Sequence, residues 1–417
     1  MRILILTQYY PPETGAPQNR LSDLARRLKE FGHTVVILTA LPNYPRGEIF
    51  RAYRGRLRME EELAGIRVVR AWIYATKSKN FTQRLFNYFS FVLSSIALGF
   101  WKVGPQEVVI VESPPLFLGI SGFLLSFFKH ARLVLNISDL WPDSAIAMGI
   151  LNNRCLVRLS RWLEEFLYRH SFLVTGQTRG IVENIRSRIA DKKVALITNG
   201  VDVEAYTLAG ASVDKEAIRR EFGLGSEFVV GYAGLHGLAQ GLETVLHAAR
   251  LVAGRANVTF VFFGDGPEKK NLTSLAQQLG LTNVLFFASE ETRRMPAIIA
   301  SFDLALVPLR RLDLFKGALP SKMFEAMAAA VPIIVTIDGE ARELVERAQA
   351  GIVVEPEDPE ALATAILQLR NDPNRLKTLG VNGRDYVVEH YNRRKIARQF
   401  ERLLLEEPEP ESAPLKI

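Results

Sequence analysis

The run Pro320-Ser321-Lys322-Met323-Phe324-Glu325-Ala326-Met327-Ala328-Ala329-Ala330-Val331-Pro332-Ile333-Ile334 reads as a loop, a helix entry and then a strand. Proline, serine and lysine ahead of the helix suit a terminus whose free backbone N–H groups can face an anion. Val331-Pro332 stops the helix, and Ile333 to Thr336 has the continuous apolar character of a parallel strand buried on both faces. Glu325 is a single carboxylate on an otherwise small and apolar helix. A solvated helix glutamate is the plain alternative reading for it.

Outward from this run the chain alternates short apolar strands with longer helical segments. Arg2 to Thr7, Thr34 to Ala40, Ile66 to Trp72, Val108 to Glu112, Arg132 to Ile137 and Phe172 to Thr175 are strand candidates in the first half. Asn19 to Phe31 carries Leu21, Leu24, Ala25 and Leu28 at helical spacing. After Gly223 a second set begins: Phe228 to Ala233, Val258 to Phe263, Val284 to Phe287, Leu304 to Pro308 and Ile333 to Thr336. Such alternation predicts α/β architecture, two doubly wound halves with right-handed parallel crossovers. The boundary is expected at Gly200-Val201-Asp202 and the polar stretch after it, giving domains 1–202 and 203–391. Residues 392–406 read as a helix crossing between domains and 407–417, with three prolines, as a disordered tail. A crevice is expected between the halves, with ligands beyond the carboxyl ends of the strands.

At 417 residues, with 48% hydrophobic and 23% charged content, two domains are the default. The single Cys155 excludes an internal disulfide framework, and no cysteine–histidine cluster has zinc-like spacing. Met1 to Tyr10 lacks the longer apolar core and cleavage site of a secretory signal and reads as a first strand, which fits a cytoplasmic location. The net charge of +7 favours an anionic partner. Arg46, Arg51, Arg54, Arg56 and Arg58 lie close together, and Lys77, Lys79 and Arg84 lead into an aromatic segment. No nucleic-acid motif accompanies them, so nucleic acid is not an expected partner and membrane phosphates are the better anions. Leu85 to Trp101 and Ser113 to Phe128 lack charged residues but sit at or below the lower length limit for a membrane span. Helices buried against the first sheet are expected for both, with peripheral contact at the inner membrane face as the other reading of Leu85 to Trp101.

The loops carry the candidate chemistry. Gly231 to Gly241 follows a strand and opens a helix, so its glycines let backbone amides approach a diphosphate. Gly264-Asp265-Gly266-Pro267-Glu268 ends another strand, with Pro267 suited to a first helical turn. Tyr9 to Pro17, containing Gly15, and Ser138-Asp139-Leu140-Trp141-Pro142-Asp143 follow strands in the first half. Asp139 is the better placed carboxylate there, while Trp141 could simply pack. No Asp-x-Asp pair occurs, so no metal-bridged diphosphate site is expected.

These motifs resemble the retaining nucleotide-sugar glycosyltransferases of family 4, which have the GT-B fold. That family's signature sets two glutamates eight positions apart, followed by Ala-Met-Ala, a small residue and Pro. Glu325 matches the second, which holds the nucleotide ribose, and Gly317 occupies the first. Pro-Ser-Lys ahead of Glu325 and the Asp-Leu-Trp-Pro-acid run resemble a branch that includes bacterial N-acetyl-L-fucosamine transferases and other enzymes of surface-polysaccharide assembly.

The resemblance implies GT-B architecture, two Rossmann-like doubly wound parallel-sheet domains facing a central cleft. It implies a donor site from Gly15, Gly234, His236, Gln240, Gly264, Gly266, Gly317, Ser321 and Glu325, with Asp139 and Lys322 as catalytic residues. Many members carry arginine and lysine where this chain has His236 and Gln240, so charge neutralisation passes to Lys322, with Lys316 or Arg310 next. The implied substrates are a nucleotide sugar, UDP-linked, and a glycan or polyprenyl-diphosphate-linked acceptor. No separate cofactor is implied. A catalytically silent nucleotide-sugar-binding or assembly protein is the other class, and a sugar-nucleotide 2-epimerase a third, though the histidine and carboxylate cluster expected of it is missing.

Overall fold

The computed structural model describes residues 1–78, 80–147, 149, 151–212, 214–255 and 257–406; Lys79 of the basic leader and the 407–417 tail therefore lie outside the described residues. The chain divides into two compact units, one of Met1–Asn199 with the segment from Arg394 onward, the other of Gly200–Arg393.

The first unit holds an eight-stranded sheet built from β1 (Arg2–Leu6), β2 (Thr34–Ala40), β3 (Arg58–Leu63), β4 (Ile66–Ala71), β5 (Val108–Ser113), β6 (Arg132–Ile137), β7 (Leu173–Gly176) and β8 (Val194–Leu196). Its order is β3-β4-β2-β1-β5-β6-β7-β8, parallel except for β3. Because side chains alternate along a strand, Leu4 and Leu6 of β1 enter one core and Ile3 and Ile5 the other. Helices cover both faces. Helix Ala16–Glu30 supplies Leu21, Ala25 and Leu28 to the second core, joined there by Ile396, Phe400 and Leu404 of helix Arg393–Leu405.

The second unit is a six-stranded, all-parallel sheet of β9 (Phe228–Ala233), β10 (Val258–Phe263), β11 (Val284–Phe287), β12 (Leu304–Pro308), β13 (Ile333–Thr336) and β14 (Gly351–Val353), ordered β11-β10-β9-β12-β13-β14. Val229 and Val261 face the core containing Phe324 and Met327 of helix Ser321–Ala328; Val230 and Phe260 face the core of helix Leu242–Val252. Both units are thus doubly wound α/β sheets.

Three strands escape the sequence reading. β8 and β14 have three residues each, too few for a pattern. β3, Arg-Met-Glu-Glu-Glu-Leu, is the exception to the expected parallel sheet: an antiparallel edge strand whose acids pair across to β4. Glu60 meets Arg67 at 2.7 Å, and Glu61 pairs with the wholly buried Arg70. A charge-rich strand of this kind has no apolar run to announce it, and charged side chains are how edges resist pairing with another chain.

The two uncharged runs become helices Phe81–Trp101 and Leu118–Lys129, packed on the first sheet through small residues. A side chain on Gly99 would overlap Leu125, and one on Gly122 would overlap Val111. The Ser95 hydroxyl donates to Ser121 at 2.9 Å, and Ser121 donates to the Val92 carbonyl at 3.0 Å. Among the described residues no helix is long and apolar enough to cross a membrane.

Candidate functional site

In the second unit the glycine loop after β9 and the turn after β10 pack backbone against backbone. The Gly234 N–H donates to the Phe263 carbonyl at 2.9 Å, His236 N–H to Asp265 at 2.9 Å, and Glu268 N–H to the His236 carbonyl at 3.0 Å. Gly264 has φ +143°, and a Cβ there would overlap the Gly234 carbonyl oxygen; one on Gly266 would overlap the His236 carbonyl. The glycines are required because two main chains meet where side chains would stand. Gly264→Ala is expected to cost about 2 kcal/mol in thermal or urea unfolding. It is also expected to displace the Gly234 loop; a variant with unchanged melting would show that the loops do not depend on this approach.

Lys322 reaches this loop from the first turn of helix Ser321–Ala328. Its ammonium donates to the Tyr232 hydroxyl at 2.8 Å, lies 4.3 Å from that ring's centroid, and sits 3.2 Å from where a Gly234 Cβ would be. Tyr232, 1% exposed at the end of β9, in turn donates to the Leu235 carbonyl at 2.6 Å. Burial pulls the Lys322 pKa down to about 8, against the upward pull of Glu325. A partly desolvated cation at a helix start beside a glycine loop has the chemistry that suits an anion.

Glu325, one turn along the same helix, is half-buried. Burial raises its pKa, with Arg393 and Lys322 pulling it back. The helix holds it because Phe324 and Met327 on its other side are fixed in the core. Ser321 and Gly317 are half-buried in the segment that enters this helix; Gly317 closes the 3-10 turn Asp313–Gly317 and offers no carboxylate.

His236 and Gln240 differ from the sequence expectation of polar loop groups open to a donor. His236 is 0% exposed, its ring 5.8 Å from Tyr232 and 6.2 Å from both Phe262 and Phe286, and burial lowers its pKa to about 4. Neither ring nitrogen has a hydrogen-bond partner among the described residues. The aromatic walls of strands β10 and β11 draw the ring inward, so it is the His236 backbone that ties the two loops. Gln240 turns back on its own loop and accepts from the Gly237 N–H at 3.2 Å. The reserve cations are engaged as well: Arg310 pairs with Glu243, and exposed Lys316 with Asp313 at 2.7 Å.

Tyr232 and Arg393 join the site although the sequence patterns do not mark them. Tyr232 stands two places before Gly234, a position whose register could have betrayed it. Arg393 is 68 positions from Glu325, and only the fold makes them neighbours.

In the first unit, Gly15 is the N-cap of helix Ala16–Glu30. The loop before it is fixed by Glu13, 2% exposed, whose carboxylate accepts N–H bonds from Asn43 and Tyr44 at 2.7 Å and Tyr10 at 3.1 Å. Burial outweighs these bonds and lifts its pKa to about 7. Asp139, two residues past β6, is half-buried; burial raises its pKa, with Ser144 and the Leu140 amide pulling it down. Trp141 packs edge-on to Phe117, ring centroids 5.4 Å apart.

Beneath Asp139 lies a polar network that the sequence did not reveal. Arg20 bonds Glu112 at 2.5 Å; Glu112 also accepts from Asn136 at 2.6 Å and from the Ser138 hydroxyl, and Thr175 donates to Asn136 at 2.8 Å. Gln177 presents its carboxamide oxygen to the Arg20 guanidinium at 2.7 to 3.2 Å. The network laces the carboxyl ends of β5, β6 and β7 to the first helix and so fixes the strand end that carries Asp139.

Two family descriptions match this chain: Glycosyl transferase 4-like domain over residues 15–200 and Glycosyl transferases group 1 over residues 214–386. The chain is similar to Escherichia coli WcaI, named for glycosyl transfer in colanic acid biosynthesis, with 27% identity over 412 residues that span 96% of this chain and 98% of that one. A Corynebacterium glutamicum protein named GDP-mannose-dependent monoacylated alpha-(1-6)-phosphatidylinositol monomannoside mannosyltransferase is 28% identical over 51% of this chain and 56% of its own. Among solved structures, sucrose-phosphate synthase from Thermosynechococcus elongatus has TM-score 0.73 at 19% identity, covering 97% of this chain and 98% of that one. HepE of Anabaena, solved with UDP-glucose, has TM-score 0.70 at 18% identity, covering 97% and 99%.

Proposed function

Because the chain belongs to the family 4 glycosyltransferases, of the GT-B type, we propose that it moves a sugar from a UDP-linked donor to a glycan or polyprenyl-diphosphate-linked acceptor, with retention at the anomeric carbon, in surface-polysaccharide synthesis. The observation that carries the donor half is the Lys322 ammonium, held on Tyr232 against the Gly234 loop at a helix start. Negative charge grows on the diphosphate as the sugar leaves. Lys322 and the helix-end amides stabilise that charge more in the transition state than in the ground state. Glu325 takes the ribose hydroxyls. With glycine at 317 no carboxylate stands at the first signature position, so the reading is front-face attack in which the leaving diphosphate accepts the acceptor's proton. Asp139 orients the acceptor hydroxyl.

The test is turnover. The purified chain, offered a panel of UDP- and GDP-sugars with polyprenyl-diphosphate sugars, is expected to release nucleotide only with a UDP-sugar, and the product's anomeric configuration should match the donor's. Inverted product would end the retaining mechanism, and release from GDP-mannose alone would end the UDP assignment. Donor binding without turnover across the panel would favour a silent binding protein.

A further inference from the structure

The reaction leaves a feature of the first unit unused: three outer helices whose sheet-facing sides already satisfy packing yet whose solvent sides share a run of exposed aromatic and aliphatic side chains. In helix Phe81–Trp101, Phe91, Val92, Ser95 and Gly99 are buried while Phe86, Leu93, Ala97, Phe100 and Trp101 point outward, with Trp101 79% and Phe86 and Leu93 each 68% exposed. These outer positions recur at three and four residues and make one stripe. The stripe continues onto helix Leu118–Lys129 through Phe100 and Phe128, centroids 5.8 Å apart, beside exposed Phe127. Phe123 of that helix meets Phe166 of helix Arg154–His170 at 5.1 Å, and Phe166 stacks on exposed Trp162 at 5.5 Å. Contiguous exposed apolar surface of this kind marks an interaction site.

The charge around it selects the partner. On helix Arg154–His170, exposed Arg154 and Arg158 run one position ahead of Cys155 and Leu159 and border the apolar stripe, while Arg161, beside Trp162, pairs with Asp143 at 3.1 Å. The three helices carry six Lys and Arg against two acids, and both acids, Glu164 and Glu165, are held by Arg188 at 2.6 and 3.4 Å. The basic leader contributes less than its composition suggests, because Lys77 pairs with Glu48 at 2.5 Å.

We propose that this face docks on an anionic lipid surface, its aromatic side chains entering the headgroup boundary and its arginines meeting lipid phosphates. A second copy of the chain is a poorer occupant, since a twofold contact would set the same arginines near one another. The docking proposed is peripheral: among the described residues no helix is long and apolar enough to span.

The test uses the full chain with neither donor nor acceptor, so its outcome is independent of the proposed reaction. In flotation, vesicles of phosphatidylcholine with about 30 mol% phosphatidylglycerol are expected to retain about tenfold more protein than phosphatidylcholine alone, and salt should weaken that binding. The variant Phe86→Ser/Leu93→Ser/Trp101→Ser should lower partitioning about tenfold while its thermal melting stays unchanged. Arg154→Glu/Arg158→Glu should remove the preference for anionic vesicles. Wild type that floats with neither vesicle, or a triple variant that floats as well as wild type, overturns the proposal. So does a wild-type dimer that the triple variant dissociates while no vesicle is bound.

Discussion

Lys322→Ala is expected to lower kcat by about 10²- to 10³-fold, the range seen when one donor to a developing oxyanion is removed. The side chain's position explains the size: its ammonium is among the described groups that reach the Gly234 loop, while Arg310 and Lys316 are each engaged with a carboxylate. Lys322→Arg should recover little, because the longer planar fork cannot keep both the Tyr232 hydroxyl and the close approach to Gly234. Steady-state kinetics at saturating donor is the measurement, and a loss below about threefold would move the charge-stabilising role elsewhere.

The lysine also sets a pH dependence with a definite sign. Its folded pKa is about 8, and a bound diphosphate favours the protonated form. Donor affinity should therefore be flat below pH 8 and weaken above it, by up to about tenfold per pH unit, because binding must then take up a proton. UDP titration by calorimetry in buffers of different ionisation enthalpy reads that proton directly. Without donor the same depression acts on stability: between pH 8 and the ordinary lysine value the unfolded chain holds a proton the folded one has released, so this group's contribution rises with pH across that window. Both slopes should vanish in Lys322→Ala.

Arg20→Ala is expected to destabilise the first unit by about 3–5 kcal/mol, since it leaves the Glu112 carboxylate buried without its counter-charge. Arg20 is 8% and Glu112 3% exposed, so water cannot replace the lost partner without opening the strand ends. Replacing both, as in Arg20→Met/Glu112→Leu, should cost much less than Arg20→Ala alone. Because two units can unfold separately, scanning calorimetry with both transitions resolved is the measurement, and only the first unit's transition should move. A loss under about 1 kcal/mol in Arg20→Ala would mean that Asn136, Ser138 and Gln177 hold Glu112 without it. A normal melting profile with a raised acceptor KM would instead give the network a role at the Asp139 end alone.

Local physics made much of this protein legible from one sequence. Eleven of the parallel strands, the glycine-rich turns after β9 and β10, and the helix carrying Lys322 and Glu325 all follow from signals a few residues long: buried parallel strands read as apolar runs, and close main-chain approaches demand glycine. Antiparallel β3 left no such trace, since its partner is set by charge pairing with Arg67 and Arg70 across the strands.

What the chain alone determined is therefore the alternation of strand and helix, two doubly wound sheets and the loops at their carboxyl ends. Tertiary structure alone decided which side chains in those loops are available. It seals His236 among aromatic rings, spends Gln240 on its own loop, brings Arg393 to Glu325, and puts the Lys322 ammonium on Tyr232. The reason is that burial and pairing depend on neighbours far away in sequence. Periodicity tells a residue which face it occupies, but the opposite wall of that face comes from another part of the chain.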